Sequence, residues 1–306
     1  MKNQNPFDYS SALFTRRQMI GLSGIGLLLA SQSYSTFANT QIERVVSVGG
    51  ILTEISYALT RQNLLVGVDL TSNYPAEARQ LSQLGYLRHL SSEGIASLRP
   101  SVILALEDAG PNHVLEHLKR MGVMVHHFQT PHNVAELMAI IRRIGNILDA
   151  NKEANQLMAS VQEAYEAWDI NNRPKFELNR VTRVMCLMSH QPGKLMVAGK
   201  DTSADRMIRM VGAKNSFSFS GFKPISTEAL IAANPDVILV TDQTLRNLGN
   251  LQRVWELSGM HLTNAYQRQA IISMEAMYLL GFGPRLPKAL NELTQSVYRV
   301  SLSKTS

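Results

Sequence analysis

The sequence predicts an α/β protein of two like lobes joined by a long helix. Three observations predict it. Short apolar runs alternate with helical patterns along the 306 residues. A segment of the first half recurs in the second half without gaps. Between the two copies, residues 135–168 lack proline and are rich in Ala, Glu, Gln, Leu and Met, a composition that favours helix.

In chain order the first element is a leader. Thr15-Arg16-Arg17 opens an apolar stretch that continues to Ala30, and Thr36-Phe37-Ala38 gives a small-x-small cleavage pattern. Residues 1–38 therefore read as a cleaved signal peptide, with a periplasmic destination. The paired arginines fit a twin-arginine signal and an ordinary secretory signal equally. The apolar run is shorter than the ~20 residues a membrane span needs. No cysteine precedes the expected mature start, so a lipid anchor is not expected.

The N-terminal lobe is expected over 41–134. Strands are predicted at Arg44–Val48, Leu64–Val68, Val102–Leu106 and Val123–Phe128, and helices at Thr53–Thr60 and Asn112–Met121. A linking helical region is expected over 135–172, ended by Asn171-Asn172-Arg173-Pro174. The C-terminal lobe is expected over 180–306. Its strand at Arg183-Val184-Met185 resembles the one at Arg44.

The repeat ties the lobes together. Ser91–Leu104 aligns on Ser226–Leu239 at an offset of 135. Each copy reads as a Ser N-cap, a short helix, a proline break and a buried strand. Parallel sheets covered by helices follow, and ligands of such sheets bind beyond the carboxyl ends of the strands. Two lobes facing each other make a cleft.

Composition narrows the function. Against 24 acidic residues stand 30 basic ones, a net charge of +6 too mild and scattered for nucleic acid. The single cysteine, Cys186, lies in an apolar run, cannot form an internal disulfide, and reads as a buried small hydrophobe. There is no nucleophile elbow, no phosphate-cradling glycine loop and no paired-carboxylate site, and Gly281-x-Gly283 is too short for a dinucleotide fingerprint. The chain reads as a binder rather than an enzyme, and as a monomer.

Three loops fall at predicted strand ends: Leu84–His89, Met188–Gly193 and Ser220–Pro224. Tyr86 and Arg88 form the informative pair. A phenolate suits ferric iron, and some haem proteins use Tyr as axial ligand. A free phenol has a pKa of ~10, so a neighbouring cation is needed to favour the anion. A Tyr two residues from an Arg is also an ordinary surface pair. His113 and His117 lie one helical turn apart, as zinc ligands can, but also as two members of a solvated face. His190 stands at a predicted strand end of the second lobe, and Tyr278 fits either a cleft wall or the core.

Val48-Gly49-Gly50 with Thr53-Glu54-Ile55, Val66–Ser72 with Tyr74-Pro75, Gly85-Tyr86-Leu87-Arg88 with Leu90–Ile95, Ala198–Asp205, and Leu279–Arg285 carry a resemblance. In these segments, spanning about residues 44–290, the sequence resembles the haem-binding periplasmic proteins of bacterial haem importers. Siderophore and cobalamin binders share that fold and two matching glutamates, but not the tyrosine loop. The resemblance implies two Rossmann-like lobes joined by one long helix, with the ligand between them. It implies haem as transported cargo, Tyr86 as its iron ligand, and Arg88 as hydrogen-bond donor to that ligand. It implies that Glu93 and Glu228 dock on arginines of an inner-membrane ABC permease with its ATPase. Both also sit where a carboxylate favours the helix dipole. Two departures stand out. Gln243, with Arg246 nearby, occupies a position where several relatives carry arginine. His190 stands where many have a small residue, and fits either a second haem ligand or a rim histidine. A ferric siderophore or a corrinoid is the alternative cargo.

Overall fold

A computed structural model describes residues 43–178, 181–191 and 194–302, with backbone alone at 174–178, 190–191 and 300–302. The expected signal peptide over 1–38 lies outside the described residues.

The N-terminal lobe runs β1 (Val45–Val48), α1 (Gly50–Ala58), β2 (Leu65–Val68), β3 (Ser82–Gln83), α2 (Ser92–Ser97), β4 (Val102–Leu106), α3 (Asn112–Arg120) and β5 (Met124–Phe128). The sheet has the order β3-β2-β1-β4-β5, and every pair is parallel. Parallel strands are covered on both faces, which is why β4 reads as an unbroken apolar run, β1 as one interrupted only by Ser47, and both are buried throughout. One face packs against Ile51, Leu52 and Ile55 of α1, the other against Ile95, Leu115 and Leu118. In α3 the buried positions Val114, Leu115 and Leu118 form one helical stripe. His113 and His117 point the other way and are exposed.

The linking region holds two helices, α4 (Val134–Ile147) and α5 (Asn151–Leu178). Asn133 caps α4 by accepting the Glu136 N–H at 2.9 Å, and the Glu136 carboxylate accepts the His132 N–H at 2.8 Å. The chain turns between the helices at Asp149, whose φ is 49°. There Gly145 meets Ala154 so closely that a Cβ at 145 would sit 2.5 Å from that methyl. The 28 residues of α5 span about 42 Å. The helix does not stop at 171–174 as the sequence suggested, but runs through Pro174 to Leu178. Proline fixes φ near the helical value, so it removes one hydrogen bond without forbidding the turn.

The C-terminal lobe runs β6 (Arg183–Gln191), β7 (Lys194–Ala198), α6 (Ser203–Met210), β8 (Lys214–Asn215), β9 (Phe222–Pro224), α7 (Thr227–Ala233), β10 (Val237–Thr241), α8 (Asp242–Leu248), α9 (Gln252–Trp255), α10 (Asn264–Gln267), β11 (Ile271–Met274), α11 (Ala276–Leu280) and α12 (Leu286–Leu302). Its sheet has the order β11-β10-β6-β7-β9, with β8 beside β6. Helix α5 reaches this lobe through Trp168, whose indole N–H donates to Thr294 of α12 at 3.2 Å.

The repeat is visible as register. Val45 of β1 sits opposite Val102 of β4, and Val184 of β6 sits opposite Val237 of β10. Ser91 and Ser226 cap their helices alike, each accepting a backbone N–H at 3.2 Å. Asp236 closes the second copy by accepting from Arg183 N at 2.9 Å and Asn264 Nδ2 at 2.9 Å. Burial pushes its carboxyl up, but these hydrogen bonds and the Arg183 charge outweigh that and hold it below the usual range.

The likeness ends on the far side of β6. There β7 runs antiparallel to β6 and β9, so the second sheet is mixed and not parallel as expected. Residues 188–191, read from sequence as a loop, belong to β6. Gln191 pairs with Lys194, so a short hairpin replaces the helical crossover. Cys186 is fully buried in β6, and burial pushes its thiol up to about 12, leaving it unreactive.

Candidate ligand-binding site

The tyrosine loop joins β3 to α2. Gly85 has φ +89°, which turns the chain so that Tyr86 leaves the sheet edge. Two backbone bonds of 2.8 Å, Gly110 N–H to Leu87 O and Leu90 N–H to Gly110 O, tie this loop to the segment after β4. The Tyr86 ring is half-buried against the apolar cluster around Val46, Val48 and Ile103. Its hydroxyl accepts from Arg88 Nη1 at 2.7 Å. The other terminal nitrogen, Nη2, forms an ion pair with Asp108. The predicted Tyr86–Arg88 pair is thus brought together. Asp108 was not singled out in the sequence. Its one available signal was its place just beyond the carboxyl end of a buried strand.

At the corresponding end of β10, Gln243 and Arg246 share the first turns of α8. Arg246 Nη2 donates to Gln243 Oε1 at 3.1 Å, and Nη1 pairs with Asp242 at 2.6 Å. Asn247 of the same helix donates to Ser189 O at 2.8 Å, so α8 lies against the end of β6. His190 belongs to β6 by its backbone, and its side chain lies outside the described residues. Among the described residues, no hydrogen bond, ion pair or ring contact joins the Tyr86 group to Gln243 or Arg246.

Tyr278 goes to a junction between the lobes. Arg285, between α11 and α12, lies 3.6 Å from the Tyr74 ring centroid and 5.1 Å from that of Tyr278. Its Nη2 pairs at 2.8 Å with the buried carboxylate of Glu54 in α1. Burial, then the Glu292 charge, pushes the Tyr278 phenol up, so its anion is disfavoured. Glu54, Tyr74 and Arg285 were seen in the sequence only as parts of a resemblance, not as a contact.

Glu93 and Glu228 are exposed in the first turns of α2 and α7, one on each lobe. Two surface pockets of about 410 and 550 Å³ lie elsewhere, around His127 and Arg143 and around Lys200 and Lys214. Neither is lined by Tyr86, Arg88 or Arg246.

A family profile described as periplasmic binding protein matches residues 45–278. The chain is a periplasmic binding protein. Members of this family are solute carriers of ABC importers that deliver a ligand to a membrane permease, and they are not enzymes. Among solved structures, the periplasmic haem-binding protein BhuT in complex with two haems is 35% identical, with a TM-score of 0.79 over 84% of this chain and 98% of that one. The ABC transporter substrate-binding lipoprotein YvrC of Bacillus subtilis is 27% identical over 84% of this chain and 80% of its own. A vitamin B12-binding protein of Pectobacterium atrosepticum is 24% identical over 92% of this chain and 96% of its own.

Proposed function

We propose that this periplasmic binding protein carries haem, with Tyr86 as the ligand to ferric iron. The observation that carries the reading is the Arg88 guanidinium donating to the Tyr86 oxygen at 2.7 Å. Haem proteins use a tyrosine oxygen as a ligand to iron, and the guanidinium places a hydrogen-bond donor at that oxygen. The 35% identity to a structure holding two haems supports the same cargo. In this reading residues 1–38 direct export and are removed. Gln243 and Arg246 offer polar contacts from the second lobe, where haem carries propionates, and His190 is the candidate ligand for a second haem. Tyr278 supports the lobe junction and is not a ligand. The protein acts as a monomer and engages no nucleic acid.

A corrinoid is the second reading, because a vitamin B12-binding protein matches over most of both chains. Optical titration of the mature protein separates the two. Haemin is expected to give a saturable Soret shift with tyrosinate character, and cobalamin no saturable change. The reverse result removes the haem reading. The haemin equivalence point, one or two per chain, decides whether His190 has a second iron to meet.

Glu93 and Glu228 are proposed to pair with basic residues of the permease. Changing both to arginine is expected to abolish stimulation of transporter ATPase activity while haem titration stays at wild-type affinity. Full stimulation by the double variant would remove the docking role.

A further inference from the structure

Asp108 holds one edge of a guanidinium whose other edge serves Tyr86. Arg88 Nη2 is in an ion pair with Asp108 Oδ2, and Nη1 donates to the Tyr86 oxygen at 2.7 Å. A guanidinium is planar and its donors leave in fixed directions, so fixing one edge aims the other. Arg88 needs that fixing: its side chain is 52% exposed and sits on a flexible stem. Asp108 is well placed to supply it. It follows the fully buried β4, and its neighbours are tied down by Ala109 N–H to Leu106 O at 3.0 Å and Gly110 N–H to Leu87 O at 2.8 Å. The second of these bonds joins the Asp108 segment directly to the tyrosine loop. The other carboxylate oxygen, Oδ1, is buried and accepts no hydrogen bond among the described residues. The hydrogen bonding of this carboxylate is therefore directed at Arg88.

We propose that Asp108 is a positioning residue of the ligand site: it orients Arg88 so that the guanidinium donates to the Tyr86 phenolate while ferric haem is bound. This rests on Tyr86 being the iron ligand. Two effects of the carboxylate oppose each other, and that makes the role measurable. A hydrogen bond and a positive charge at the phenolate both weaken it as a donor to ferric iron, which raises the ferric–ferrous midpoint potential. Removing the positioning group lets Arg88 leave, so the potential falls. Removing only a negative charge, with Arg88 staying in place, makes the potential rise.

The test is the midpoint potential and the rate of haem release to a competing apoprotein, read on the haem-loaded protein. Asp108→Ala is expected to lower the potential, as Arg88→Ala does. It is also expected to change the release rate in the same direction and by the same factor as Arg88→Ala. Asp108→Asn keeps an acceptor for Nη2 and is expected not to lower the potential. In the double variant Arg88→Ala/Asp108→Ala, release is expected to match that of Arg88→Ala alone, because the aspartate acts through the arginine. A raised or unchanged potential in Asp108→Ala overturns the positioning role, as does a release rate in the double variant that differs from that of Arg88→Ala. A wild-type haem complex without tyrosinate character overturns the ligand reading itself, which the unmodified protein shows before any variant is made.

Discussion

Tyr86→Phe is expected to weaken haem binding on the order of a hundredfold or more and to abolish the tyrosinate character of the ferric spectrum. Residues that merely support a metal ligand are commonly worth 10–100-fold, and the ligand itself should exceed them. Phenylalanine is the informative replacement because it separates ligation from packing. The Tyr86 ring lies half-buried against the apolar cluster that includes Val46, Val48 and Ile103, and Phe keeps that packing while deleting the oxygen. The unfolding midpoint without haem should therefore stay within the small range of a surface substitution. Equilibrium titration and haem transfer to a competing apoprotein measure the effect. Wild-type affinity in Tyr86→Phe would move the iron to another ligand, with His190 the next residue to change. The same variant bears on the corrinoid reading, because a cobalamin carrier has no need of a phenolate at this position.

The sequence exposed what is local or repeated, and hid what is distant. Two copies of Ser-x-Glu before a proline and a buried strand located α2 with β4 and α7 with β10, because N-caps and apolar runs act within a few residues. The matched registers of Val45 with Val102 and Val184 with Val237 show that the repeat reports a shared strand pairing. The antiparallel β7 escaped because Met188–Gln191 reads equally as a polar loop and as the end of a strand. The Pro192-Gly193 dipeptide that follows is turn chemistry, and with it the whole of Met188–Gly193 reads as one loop. At the site, Tyr86 and Arg88 were legible because they are two residues apart on one turn. Asp108 was not, because it joins Arg88 from across twenty residues through the pairing of two loops. The contact between Glu54 and Arg285 spans 231 residues, and nothing local in either segment announces it.

Arg285→Ala is expected to destabilise the fold by about 3–5 kcal/mol, the usual cost of leaving one member of a buried ion pair alone. Glu54 is 7% exposed, and its carboxylate accepts from Arg285 twice, from the backbone N–H at 3.2 Å and from Nη2 at 2.8 Å. The guanidinium also lies over the Tyr74 ring at 3.6 Å, a cation–π contact worth about 0.5–1 kcal/mol because Tyr74 is 45% exposed. Glu54 and Tyr74 belong to the first lobe and Arg285 to the second, so truncation loosens the joint between lobes as well as each lobe. Denaturant unfolding followed by tryptophan fluorescence measures the loss, since Trp168 and Trp255 are both buried. Two further variants separate charge from packing. Arg285→Lys keeps the charge but loses the forked geometry and the flat stacking, so it should recover only part of the stability. Glu54→Gln with Arg285→Met removes both charges while retaining bulk, and should be less damaging than Arg285→Ala alone, because no buried ion is then left unpaired. If Arg285→Ala costs under about 1 kcal/mol, the pair behaves as a surface salt bridge and the lobes are held by apolar packing alone. If the double variant is as unstable as the single one, stacking on Tyr74 and not the buried charge holds the junction.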